Sequence, residues 1–426
     1  MRIHVEGYGC SMNRADTEAI KGHALANSFS ESAPGNADFL VINTCAVKEQ
    51  TEFKMLQRIR ELNKIAEEKN SQLIVFGCLP KINPALVEGL SSNIIQMGPD
   101  LVKLSQVLGI REEEFSPGIM PAGDNPHISI LPICRGCTNY CTFCGTKFAR
   151  GNIKSYPIEL LKNRFEESLE NGVREFWLTG QDSGAYGLDM NSSLPKLLES
   201  FLEVKGDFRI RIGMMNPHHL RRIYQSLIPL FSDPRIYKFL HVPLQAGSER
   251  VLREMRRGYT SAQYEGLVKM LKKDVPNITI ATDVIVGFPG ETEDEFLKTL
   301  KILKATKPDI VNISRFGSRP GTVAASMPGQ LHGRDKKERS RKLTSVCRAL
   351  SFQANRRMEG AKERVFVSEK GQKGRFVGRT SNYKPVIVSS DLRGRFIDVE
   401  ITGAYPSYLE ARVLEGEKAF LISSKP

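Results

Sequence analysis

The sequence predicts an α/β protein in three parts: an N-terminal open parallel sheet, a central incomplete (β/α) barrel and a small antiparallel β-barrel at the C-terminus. Three observations carry that expectation. Apolar strand runs alternate with amphipathic helical stretches from residue 2 to about residue 325, a pattern that implies parallel strands joined by crossover helices. The stretch 111–127 (REEEFSPGIMPAGDNPH) has no periodicity and three prolines, which marks a linker. Beyond residue 330 one basic helix gives way to short strands rich in Val, Phe, Ile and Tyr, broken by Gly, Pro, Asn and Ser. The boundaries follow as 1–110, a linker at 111–127, 128–358 and 359–423. At roughly 150 residues per domain, 426 residues agree with three parts.

In chain order, 2–8 reads as a strand, 14–28 as a helix and 39–43 (FLVIN) as a buried strand. A long helix follows with Phe53, Leu56, Ile59, Leu62 and Ile65 at helical spacing, then the strand 72–76 (QLIVF). In the central part a helix spans 157–171, opened by Pro157 and closed before Gly172. Strands fall at 174–179 and near 208–213, 238–243, 278–287 and 310–316, and Thr292 to Glu295 forms a capping box. About 200 residues of such units suit an open barrel related to the eightfold one, although a doubly wound sheet fits nearly as well. Residues 331–359 form a basic helix with Leu343, Val346, Cys347, Leu350 and Ala354 on one face, so Cys347 reads as helix packing. Residues 363–422 read as the small barrel.

Composition excludes several classes. Forty per cent apolar and 26% charged residues allow real cores and rule out a wholly disordered chain. The longest apolar runs, such as 280–288 (IATDVIVGF), reach buried-strand length, against the roughly 20 residues a membrane helix needs. The start, MRIHVEGYGCSMNR, has no apolar signal core. A cytoplasmic protein without membrane association is therefore expected. The net charge of +13 points to a polyanionic partner. Its location is uneven: residues 331–426 hold 21 Lys and Arg against 11 Asp and Glu, an excess of +10, leaving +3 for the first 330 residues.

Eight cysteines carry the chemistry: Cys10, Cys45, Cys78, Cys134, Cys137, Cys141, Cys144 and Cys347. Disulfides are a poor explanation in a reducing compartment, so metal, cluster or redox chemistry is the starting point. Residues 134–144 run C-x2-C-x3-C-x2-C. A zinc ribbon separates its pairs by about 15–20 residues, and the ferredoxin run has a different order ending in proline. Cys10, Cys45 and Cys78 are far apart in sequence, yet each follows an apolar strand and precedes a helix. In an open parallel sheet the loops at the carboxyl ends of the strands meet in one crevice. Three thiols delivered there could hold an iron–sulfur cubane with one iron open. A zinc site is the rival, but His4 and His23 lie outside the repeated pattern and no fourth ligand is evident.

Cys137, Cys141 and Cys144, spaced C-x3-C-x2-C after a strand, resemble the radical S-adenosylmethionine (SAM) motif. Both cysteine sets and the terminal barrel together resemble the methylthiotransferases over essentially the whole chain. The N-terminal cluster domain is matched by YGCSMNRADTE (8–18), NTCAVKEQTE (43–52) and FGCL (76–79). The archaeal and eukaryotic branch, which modifies threonylcarbamoyladenosine in tRNA, is matched by CTNYCTFCGTKFARGNIKSYP (137–157), TGQDSGAYG (179–187), HVPLQAGSERVLREMRRGYT (241–260), DVIVGFPGETEDEF (283–296) and SRPGTVAA (318–325). The last 60 residues are similar to a TRAM domain, a small RNA-binding barrel.

The resemblance implies two 4Fe-4S clusters and SAM as cofactors. A cluster on Cys137, Cys141 and Cys144 would reduce SAM to methionine and a 5′-deoxyadenosyl radical, which would take hydrogen from adenine carbon 2. A cluster on Cys10, Cys45 and Cys78 would carry the inserted sulfur, and a second SAM the methyl group. Phe143 matches the position beside the SAM adenine, Gly180 and Gln181 within Thr179–Asp182 match the segment at the SAM methionine end, and Gly287 matches the backbone approach to the SAM adenine. Cys134 is surplus to the pattern and reads as packing. No catalytic side chain beyond the cluster ligands is implied. The expected partner is tRNA at its anticodon stem-loop, with Arg375, Phe376, Arg379, Asn382, Tyr383 and Lys384 as the mixture of cations and aromatics that would meet it. Two alternatives stand: a family member acting on isopentenyladenosine in tRNA or on a ribosomal-protein aspartate, and a non-catalytic zinc-stabilised RNA-binding protein.

Overall fold

The computed structural model describes residues 1–46, 49–110, 123 and 125–414. Most of the expected linker, and the chain beyond residue 414, lie outside the described residues. The N-terminal part is a parallel five-stranded sheet in the order β2-β1-β3-β4-β5. Its elements are β1 (Arg2–Gly7), α1 (Ser11–Ala26), β2 (Ser30–Glu31), β3 (Phe39–Thr44), α2 (Glu49–Lys69), β4 (Gln72–Gly77), α3 (Leu79–Ile82), α4 (Ala85–Glu88), β5 (Ile95–Met97) and α5 (Leu101–Leu108). Helix α1 starts three residues earlier than periodicity suggests, because Gly9 at φ +114° turns the chain straight from the strand into the helix. Phe53, expected on the apolar face of α2, is 70% exposed, and Met55 takes the inward position instead.

The central part alternates β6 (Ile128–Pro132), β7 (Cys134–Arg135), α6 (Thr146–Arg150), β8 (Lys154–Ser155), α7 (Ile158–Glu170), β9 (Glu175–Thr179), α8 (Leu194–Leu202), β10 (Arg209–Arg211), α9 (Pro217–Leu227), β11 (Phe239–His241), α10 (Glu249–Glu254), α11 (Ser261–Asp274), β12 (Thr279–Val286), α12 (Glu293–Thr306) and β13 (Ile310–Arg315). Two parallel sheets, β10-β9-β6 and β11-β12-β13, are joined by a parallel bridge from Ile210 to Ile236. The result is an incomplete barrel. Alternation along the strands divides their side chains: Leu131, Phe176, Leu178, Ile210 and Val284 pack outward against the helices, while Ile128, Ile130 and Trp177 face the lumen. Phe165 of α7 stacks on Phe176 and Phe201 at 3.9 and 4.6 Å, each such pair contributing about 0.5–1.5 kcal/mol beyond area burial. The Thr292 capping box forms as its sequence predicts.

Helix α13 (Gly333–Arg356) buries Leu343 and Cys347, and burial pushes the Cys347 thiol up to about 11. Five strands follow: β14 (Lys362–Lys370), β15 (Phe376–Arg379), β16 (Pro385–Val388), β17 (Arg395–Ala404) and β18 (Leu409–Val413). They close into a barrel in the order β14-β15-β16-β18-β17. Its ladders are antiparallel as expected except β16–β18, which is parallel. This barrel seals the amino-terminal end of the central one. Tyr383 packs against Tyr237 and Phe239 at 4.8 and 4.9 Å, and Lys384 reaches Asp309 and Asn355 at 2.9 Å each.

Candidate active site: two sets of thiols at one barrel mouth

The loop carrying Cys137, Cys141 and Cys144 follows β6 and β7 and is held from several sides. The Cys137 amide donates to the Gly151 carbonyl, and Thr142 is clamped between the Met255 and Glu254 carbonyls and the Ala324 amide. Asn139 donates to the Cys137 sulfur through its amide and its side chain at 3.4 and 3.3 Å. The buried Arg257 donates to the Cys141 sulfur at 3.1 Å. Burial pushes the Cys141 thiol up and Arg257 works against it. These contacts aim donors at sulfurs that must be thiolate to bind iron.

The second set is assembled by the sheet. β1, β3 and β4 are adjacent and in register, with Gly7 opposite Asn43 and Thr44 opposite Gly77. Cys10, Cys45 and Cys78 therefore leave neighbouring strand ends. The approach is so close that a Cβ on Gly9 would stand 2.4 Å from the Cys45 Cβ. Asn13 ties the loops by donating to the Tyr8 and Thr44 carbonyls at 3.0 and 2.8 Å. Cys10 is exposed whereas Cys45 and Cys78 are buried. Burial pushes Cys78 up to about 11, against which Arg150 acts.

The two sets share one mouth. Ser11, beside Cys10, hydrogen-bonds Thr179 at the carboxyl end of β9 at 2.8 Å. Asp16 of α1, fully buried, is gripped by Arg135 and Arg150 of the central domain at 2.7 Å each, and Arg150 also donates to Asn13 at 2.9 Å. Arg319 pairs with Glu52 at 2.9 Å. Ala15 closes the contact by packing on Ile128, Ile130 and Trp177.

The remaining expected positions fall as follows. Phe143 is half-buried against the barrel core. Gly180 lies against Cys134, whose sulfur would stand 2.7 Å from a Cβ there. Gln181 buries its Oε1 without a partner. Asp182 is consumed inside the protein: it accepts from Asn139, His219 and the Asn216 amide at 2.9, 2.7 and 3.0 Å, so it braces the Cys137 loop. Gly287 has φ +77°, its amide donates to Glu291 at 2.6 Å, and Lys336 crowds its α-carbon. Sequence reasoning missed Asp16, Arg150 and Arg257. Arg257 lies in the HVPLQAGSERVLREMRRGYT segment, and only folding brings it to Cys141.

Family models match 131–303 as the Radical SAM superfamily, 2–96 as Uncharacterized protein family UPF0004 and 356–414 as the TRAM domain. The chain is 36% identical to a probable threonylcarbamoyladenosine tRNA methylthiotransferase of Pyrococcus horikoshii, over 97% of this chain and 100% of that one. It is 38% identical to the probable enzyme of that name from Archaeoglobus fulgidus, over 96% and 98%, and 34% identical to the human threonylcarbamoyladenosine tRNA methylthiotransferase, over 100% and 76%. The chain belongs to the threonylcarbamoyladenosine tRNA methylthiotransferase family. The radical SAM methyltransferase TsrM of Kitasatospora setae shares the fold, with a TM-score of 0.57 at 13% identity over 76% of each chain.

As a radical SAM enzyme of this family, the protein uses SAM and a 4Fe-4S cluster, and the loop fits that cluster. Three thiols lie within one turn-rich segment, and the fourth, Cys134, is buried, turned toward the Asp182 carbonyl at 4.0 Å and pushed up by burial. Three ligands from this loop would leave one iron open for SAM. Among the described residues no three His, Cys, Asp or Glu side chains gather closely enough for a single metal ion. The thiolates of a cubane bind different irons and need a wider spacing. No described helix is long and apolar enough to cross a membrane.

The expected RNA-contact set of the methylthiotransferase needs correction. Asn382, Tyr383 and Lys384 are buried in the contact with the central barrel, Arg379 is spent on Glu369 at 2.6 Å, and Phe376 packs within its own barrel. Only Arg375 of the six is exposed, and it pairs with Glu410. The left-handed turn at Tyr383, φ +64°, directs this run inward.

Proposed function

We propose that this chain converts N6-threonylcarbamoyladenosine beside the tRNA anticodon to its 2-methylthio derivative, with a second 4Fe-4S cluster on Cys10, Cys45 and Cys78. The observation that carries the reading is the Ser11–Thr179 contact, which puts the two thiol sets at one mouth. When bound, the cofactors supply radical hydrogen abstraction at adenine carbon 2, the inserted sulfur and the methyl group. The protein's part is distance and enclosure. Asp182 and Asn139 orient the Cys137 sulfur, and Arg257 holds that of Cys141. The Asp16–Arg135–Arg150 cluster fixes the separation of the two sites. Phe143 and Gln181 line the SAM side, Gln181 with an acceptor not satisfied by protein. The exposed Lys370, Lys373 and Arg375 of the terminal barrel supply phosphate contacts, which position RNA without selecting a base.

The test is the nucleoside content of tRNA from cells lacking the gene, read by mass spectrometry. Loss of the 2-methylthio mark from threonylcarbamoyladenosine is expected. An unchanged level there, with loss from isopentenyladenosine, would transfer the assignment to the other tRNA branch.

A further inference from the structure

The lumen of the central barrel holds an arginine that the rest of the protein does not satisfy. Arg211 lies on β10 opposite Trp177 of β9, and its guanidinium carbon is 5.6 Å from the ring of Trp177 and 5.3 Å from those of Phe239 and Tyr383. Its Nε is buried without a hydrogen-bond partner. Among the described residues no carboxylate pairs with it. Other arginines of this fold are paired: Arg150 with Asp16, Arg209 with Asp207, Arg339 with Glu291 and Arg379 with Glu369. A second cation, the exposed Arg14 of α1, stands 5.3 Å from the ring of Trp177 and has no ion-pair partner among the described residues.

Aromatic faces offset part of the cost of a desolvated cation, about 0.5–2 kcal/mol. They cover the plane of the guanidinium and leave its edge donors without a protein partner, Nε buried and the two terminal nitrogens open to solvent. An edge with several N–H groups in a fixed fork matches a carboxylate. The position matters as well. Trp177 lies two residues before Thr179 on β9, about 6.6 Å deeper than the mouth where the two thiol sets meet. An adenine that presents carbon 2 at that mouth carries its N6 substituent away from it, because carbons 2 and 6 diverge across N1. The threonylcarbamoyl group ends in a carboxylate several bonds from N6, a reach comparable to one layer of side chains.

We propose that Arg211 and Arg14, one from each domain and both against Trp177, receive the carboxylate of the N6 substituent and so select an anionic modified adenosine over an apolar one. The inference rests on the function proposed above. The site is complete only when the N-terminal domain is docked, since Arg14 comes from the helix that follows Cys10.

The experiment compares two anticodon stem-loop RNAs, one carrying threonylcarbamoyladenosine and one its carboxyl methyl ester, with the reconstituted full-length protein. Binding to the ester is expected to weaken about 10-fold, the lower end for lost hydrogen bonds to a charged group, because Arg211 is half-buried and Arg14 exposed. Equal binding and equal methylthiolation of acid and ester by the unaltered protein would overturn the inference while leaving the proposed reaction standing. Failure to methylthiolate either RNA would overturn both. In Arg211→Gln the acid-to-ester ratio should collapse toward one, with Arg211→Lys retaining part of it and Arg14→Gln giving the smaller loss. A ratio in Arg211→Gln equal to that of the unaltered protein would also defeat the assignment.

Discussion

The two thiol sites are built on opposite plans. Cys137, Cys141 and Cys144 sit in one short loop, which contacts from elsewhere in the same central domain hold in place. Cys10, Cys45 and Cys78 come from three strand ends and exist only if β1, β3 and β4 pair in register. The difference shows where each site is vulnerable: the first to its own side chains, the second to the sheet and to the domain packed on it.

The largest expected effects test whether the sites are separable. Cys141→Ala should abolish SAM cleavage, measured as 5′-deoxyadenosine released under reducing conditions. Cys45→Ala should leave cleavage in place and stop sulfur insertion into RNA. Iron and sulfide analysis of anaerobically prepared protein should give about eight irons per chain, and about four after Cys10, Cys45 and Cys78 are all replaced by alanine. Coincident loss of both activities in Cys45→Ala would mean that the two sites are one unit. Zinc in place of iron and sulfide would favour the non-catalytic rival.

A smaller effect probes the seam between the domains. Asp16→Ala leaves Arg135 and Arg150 without their buried carboxylate, and breaking such a pair costs about 3–5 kcal/mol. Chemical denaturation should show that loss, and SAM cleavage should run without matching methylthio product because the separation of the sites is no longer fixed. A variant as stable and as tightly coupled as the unaltered enzyme would show that the Ser11–Thr179 and Arg319–Glu52 contacts suffice.

Much of this was legible in the sequence, for local reasons. The C-x3-C-x2-C loop is read from spacing, and the repeated strand–cysteine–helix order reveals the second set because parallel strands deliver their ends to one edge. The ties between the domains were not legible. Asp16 and Arg150 are 134 residues apart, and nothing in either segment marks them as a pair. The run Arg379–Lys384 misled for a related reason: cations and aromatics at a docking surface have the composition of an RNA-binding face, and only the turn at Tyr383 decides which way they point. Arg211 was hidden because two alternate arginines in a short strand read as a solvated edge.

The finest distinction lies in the arginine that accompanies each site. Arg257 donates to Cys141 from within the central domain, whereas Arg150, near Cys78, crosses from the central domain to the N-terminal one. A donor or cation beside a cluster thiolate favours the reduced cluster and raises its potential. Arg257→Gln should therefore make the potential of the first cluster more negative while leaving the second unchanged. Arg150→Gln should do the reverse, and should also loosen Asp16. Redox titration followed by electron paramagnetic resonance resolves the two signals in one sample. If Arg150→Gln moved only the signal of the first cluster, the helix that carries it would be reporting to its own loop, and the second site would have no arginine from the neighbouring domain acting on it.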